Sequence, residues 1–99
     1  MDNRLKLQLY LEKLCPNVYF QPPSDMMMRY PAILYSRDTM EKQAADNIGY
    51  IRNHRYAIQV MDYDPDSELA DRILELPYST FDRQYVVNGL NHTAINLYF

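Results

Sequence analysis

The chain has no tryptophan, a single cysteine and only two glycines, and each scarcity closes off a class of chemistry. With Cys15 alone, no internal disulfide framework can form, and such usage fits a reducing cytoplasm. Two glycines cannot build a glycine-rich phosphate loop, and no G-x-S-x-G nucleophile elbow occurs. No apolar run approaches the ~20 residues that a membrane-spanning helix needs. The amino-terminal leucines alternate with Lys, Gln and Glu, which is unlike a secretory signal. Clustered basic residues are missing too. The net charge is −3 and Lys and Arg are scattered, so no phosphate-neutralising patch is present, and a mildly acidic surface would let DNA pass without holding it.

What remains is the composition of a small globular protein. Ninety-nine residues make one domain, and 47% hydrophobic with 23% charged residues is ordinary for a folded chain. A domain this size buries only roughly 60–65% of its unfolded surface, so association with further copies would add stability. Ten tyrosines and six methionines stand out. Both types are enriched at protein interfaces, and tyrosine equally suits a small core with a wet rim.

Residues 2–14 combine alternating leucines with helix-forming Lys, Gln and Glu, and Asp2 or Asn3 can cap, so a helix is expected, ending before Pro16. Leu7, Tyr10, Leu11 and Leu14 share one of its faces, while Leu5 and Leu9 fall opposite. That second apolar stripe lies either under a loop of the same chain or against a neighbouring subunit. Residues 16–29 read as a connecting loop, with Pro22-Pro23 followed by Met26, Met27 and Met28. Three adjacent methionines cannot all face one core. At least one is exposed or at a contact, the alternative being a loop without a role.

A short strand is expected over 30–36, then a long polar loop over about 37–50 with a helical turn around Met40–Ala45, then the longest strand over 50–62. In that strand Tyr56, Ile58 and Val60 alternate with Ala57, Gln59 and Met61, as when one face is fully buried. Asp64 and Pro65 open a second helix, Leu69, Ile73 and Leu76 form its buried face, and Pro77 ends it. In TFDRQYVV, Phe81, Arg83, Tyr85 and Val87 alternate with Asp82, Gln84 and Val86. Asn88-Gly89 is a hairpin turn, and HTAINLYF returns as the last strand. The fold class is therefore α+β, a single domain over 1–99 in the order α-β-β-α-β-β. Two helices lie on one mainly antiparallel four-stranded sheet.

Chemistry-bearing residues are few. Asp62, Asp64 and Asp66 resemble the opening of a calcium loop, but Ser67 stands where glycine is needed and Ile73 where a bidentate glutamate is needed. Helix capping accounts for the carboxylates. Cys15 could pair with His54 or His92, yet a cysteine ending an apolar helix is more often a small buried hydrophobe. No catalytic residue, cofactor or metal is assigned, and the expectation is that the chain is not an enzyme. Asp82 and Arg83 point to opposite faces of a regular strand. They form either a solvated surface pair or an ion pair across a subunit boundary.

The combination D-P-D-S-E, L-E-L-P-Y-S-x-F-D-R-x-Y, N-x-L-N-H and L-Y-F, with V-Y-F-Q-P-P-S and R-Y-P-A-I-L-Y-S upstream, resembles the small head–tail joining proteins of tailed bacteriophages. These are the tail terminator, tail completion and minor structural proteins, and the likeness runs from about Val18 to Phe99. It implies a virion protein of the neck and tail, assembled in the bacterial host cytoplasm and closing as a ring, usually a hexamer, on the finished tail tube. The implied partners are further copies of itself, the tail tube protein and the head-completion or connector protein, with DNA passing through unbound and no membrane involved. Exposure logic then puts Leu5, Leu9, Met26, Met27, Met28 and Tyr30, with Asp82 and Arg83, at the subunit boundary. The loop bearing Arg37, Asp38, Glu41, Lys42 and Asp46 would face the tube or the lumen. The alternatives are a head-completion or stopper protein of the same neck, and a monomeric non-virion domain that binds a host protein.

Overall fold

The computed structural model describes residues 3–37 and 55–99. Helix α1 spans Asn3–Leu14, followed by β1 (Val18–Phe20), β2 (Ala32–Arg37), β3 (Arg55–Asp62), α2 (Leu69–Ile73), β4 (Ser79–Val87) and β5 (Leu90–Tyr98). The strands form one sheet in the order β1-β2-β3-β5-β4. Among the described residues β1 and β2 run parallel and the other neighbours are antiparallel. The class is α+β as expected, but the sheet has five strands among the described residues instead of four. The addition is β1, which lies within the stretch expected to be loop. Val18, Tyr19 and Phe20 are β-formers, yet three residues are too few for a periodic signal. The strand exists because the chain returns alongside it, pairing Val18 with Ile33 and Phe20 with Tyr35.

Helix α1 buries Leu7 and Leu11 completely and half-buries Tyr10 and Leu14. Their partners are Ile33 and Tyr35 of β2, Tyr56, Ile58 and Val60 of β3, and Ile95 and Leu97 of β5, together with Ile73 from α2. This is the helix-covered face of the sheet. A smaller cluster occupies the opposite face at one end, where Met28, Tyr19 and Leu34 pack on Ala32, Met61 and Leu90. Met28 thereby pins the connecting loop, while Met27 is 92% exposed.

The second helix is shorter than expected. Instead of capping it, the carboxylates hold the turn before it: Asp62 Oδ1 accepts from the Asp64 N–H and Asp64 Oδ1 from the Asp66 N–H, both at 2.9 Å. Such local bonds compete with helix. The residue preceding the first helical turn is Glu68, whose side chain makes no capping bond. Leu69, Ile73 and Leu76 still face the core. At the other end, the Ser79 hydroxyl donates to the carbonyls of Leu76 (2.7 Å) and Leu74 (3.2 Å), satisfying carbonyls that the helix end leaves open. The Asn88-Gly89 turn has φ of 52° and 79°, the pair of positive values a two-residue hairpin needs.

Candidate functional site

Among the described residues strand β4 is an edge strand with one neighbour, β5, and every residue from 80 to 87 is exposed. It reaches beyond the cover of both helices. Phe81 is 51% and Val86 61% exposed on the helix-covered side, and Tyr85 and Val87 show apolar surface on the other. This distribution departs from the expected alternation, in which Phe81 shared a face with Arg83, Tyr85 and Val87. The cause is a β-bulge. Phe81 pairs with Ile95 but Arg83 with Ala94, so Asp82 is the extra residue. A bulge of this kind sets two residues against one and turns the strand by one position.

The bulge also corrects the reading of Asp82 and Arg83 as pointing to opposite faces. Both line the same shallow depression of ≈ 210 Å³ on the open face, whose floor includes Ser36, Ala57 and Asn96. Arg83 lies over the Tyr85 ring at 5.9 Å. Tyr85 stacks on His92 (4.7 Å between centroids, 6° between planes), and Gln59 Nε2 donates to Tyr85 Oη at 2.7 Å while lying 2.8 Å from His92 Nδ1. Cross-strand stacking and a shared amide thus fix the strand that carries the exposed apolar residues. The Asn88-Gly89 turn sets Tyr85 opposite His92, whereas the addition of Gln59 from β3 to the pair has no signature in the sequence pattern.

At the far margin of the sheet, α1 lies over β1 and β2. Arg4 sits above the Phe20 ring at 4.6 Å, and the Tyr35 hydroxyl donates to Gln8 Oε1 and accepts from Arg4. Leu5 and Leu9 point away from the core, 43% and 51% exposed. Of the two readings of that stripe, a covering loop is absent among the described residues. Met26 and Met27 are exposed in the loop after β1, and Tyr30 is half-covered by an edge-to-face contact with Tyr63 at 5.5 Å. Met28 is half-buried against the Ala32, Met61 and Leu90 cluster. Arg37 is the last residue of β2 and its N–H donates to Gln21 Oε1. Asp38, Glu41, Lys42, Asp46, His54 and the turn expected around Met40–Ala45 lie outside the described residues.

Cys15 and His92 are not brought together. Cys15 is buried in the helix-covered core with Sγ 3.3 Å from the Pro31 carbonyl, whereas His92 stacks on the open face. Burial pushes the Cys15 thiol above its ordinary value of 9.0, outweighing the Asn17 backbone contact that lowers it. A buried thiol held protonated is a packing element. Comparison with protein-family models, with characterised proteins and with solved structures finds no match to this chain.

Proposed function

We propose that the chain is a structural subunit of a tailed-bacteriophage neck, a tail terminator that closes as a ring on the tail tube and joins it to the head connector. The observation that carries this is the presence of two unlike apolar surfaces on opposite margins of one small domain. Leu5 and Leu9 with Met26 and Met27 mark the α1–β1 side, and Phe81 and Val86 mark β4. Four strand spacings separate these margins, about 19 Å at ordinary sheet geometry. A cyclic ring needs such a pair, because its contact is made between two different patches and closes by rotation. Asp82 and Arg83 sit on the β4 side of that boundary. The negative charge and scattered basic residues suit a channel through which DNA slides.

In this role the protein works by occupancy. A ring matched to the tube end covers the surface on which the next tube subunit would add, and it offers the connector a new face. Six copies are the expected order. Negative-stain electron microscopy of the concentrated protein, with light scattering on the same sample, tests the reading. Closed rings with sixfold symmetry are expected. A strict monomer that forms a one-to-one complex with a host protein would overturn it.

A further inference from the structure

The backbone of β4 carries a register that can be read out residue by residue. The Tyr98 N–H donates to the Tyr78 carbonyl, and the two-residue turn makes Val87 and Leu90 a hydrogen-bonded pair. Counting inward from both ends, Thr80, Tyr85 and Val87 bond to β5, as do Asp82 and Arg83 together at the bulge. Ser79, Phe81, Gln84 and Val86 are left with their N–H and C=O groups directed to the free edge. Among the described residues no strand meets them. Native edges are usually blunted by brevity, charge, Pro, bulges or cover, and β4 has only the bulge with Asp82 and Arg83, which select the partner strand in the pairing below. Strand β1, at the other edge, has three residues and runs into Pro22-Pro23. Strand β4 has nine, with neither Lys nor Pro.

We propose that β4 pairs antiparallel with β4 of a second copy about a two-fold axis between Asp82 and Arg83. In that register Ser79 faces the partner's Val86, and Phe81 faces the partner's Gln84. All four outward positions therefore meet outward positions, giving about eight backbone hydrogen bonds, two for each pair. Other antiparallel registers align at most two of the four. The bulge makes this possible, since it spaces the outward residues symmetrically about the Asp82–Arg83 step. The same register sets Asp82 of each copy against Arg83 of the other, while a shift by one residue would oppose like charges. Faces agree as well: Phe81 and Gln84 lie on the helix-covered side, and Thr80 and Tyr85 on the open side. Phe81 becomes the diagonal neighbour of the partner's Val86, covering two of the exposed apolar side chains.

The contact is isologous and closes at two copies. It is an alternative to the ring contact proposed at the β4 margin, so the pair has to open before a ring closes. Sedimentation velocity of the full chain over a concentration series tests it, alone and with charge reversals. A two-copy species is expected for the wild type. Asp82→Arg and Arg83→Asp are each expected to weaken it about tenfold or more, since each replaces two attractions by two repulsions. Mixing the two variants restores a heterodimer, because every Arg then faces an Asp, and this rescue also shows that both variants are folded. Val86→Pro removes an outward N–H without touching the β5 ladder and is expected to abolish pairing. A wild type that stays monomeric, a six-copy species indifferent to the reversals, or variants that fail to pair with each other would overturn the proposal.

Discussion

Tyr56 is fully buried in the core, and its hydroxyl is buried with no hydrogen-bond partner among the described residues. Leaving a hydroxyl desolvated and unsatisfied costs about 1–3 kcal/mol, so removing it is favourable where the ring itself stays packed. Tyr56→Phe is expected to raise stability by about 1 kcal/mol, seen as a higher urea midpoint at unchanged slope. Cys15 and Tyr35 give a pH prediction. Burial pushes the Cys15 thiol above 9.0 and the Tyr35 phenol above 10.0, the latter against the opposing pull of Arg4. The folded chain thus holds both protons more tightly than the unfolded chain. This contribution to stability is fully present below pH 9.0 and is lost as the pH rises through the folded-state values. Urea midpoints are expected to fall from about pH 9 upward, and the first part of that fall is expected to flatten in Cys15→Ala. A midpoint constant across this range would contradict the assignment.

At the scale of elements, the turns and ends carry the testable weight. Ser79→Ala removes the hydroxyl that donates to the Leu76 and Leu74 carbonyls, and a loss of about 1 kcal/mol is expected in chemical denaturation. Gly89 sits at φ 79° with open space around it, so Gly89→Ala meets no clash and loses about 1–2 kcal/mol from backbone strain alone. The hairpin was legible for this reason: Asn88-Gly89 has one local solution. The core face of β3 was legible as well, because Tyr56, Ile58 and Val60 repeat at the sheet period. Three features were not. Strand β1 depends on pairing with a distant segment, the start of α2 was decided by competition between capping and Asx turns, and the bulge at Asp82 is a property of the β4–β5 pair. Sequence patterns report what a segment prefers alone, and each miss is a place where a neighbour decided.

The whole molecule presents apolar surface where its own sheet ends. Leu5 and Leu9 were legible as candidates because the helical period puts them opposite Leu7 and Leu11, and the structure leaves both exposed. The face Phe81 takes was not legible, since it follows from the bulge, whereas Val86 keeps the side opposite Tyr85 and Val87 that the alternation gives it. In the ring reading, Leu5→Lys/Leu9→Lys keeps the fold, which buries neither residue, and abolishes assembly; unchanged rings would remove α1 from the interface. The most direct measurement is the position of the protein in finished particles, by gold-labelled antibody and electron microscopy of purified virions and detached tails. Label is expected at the head-proximal end of the tail tube. Purified particles without the protein, or label along the tube length, would contradict it.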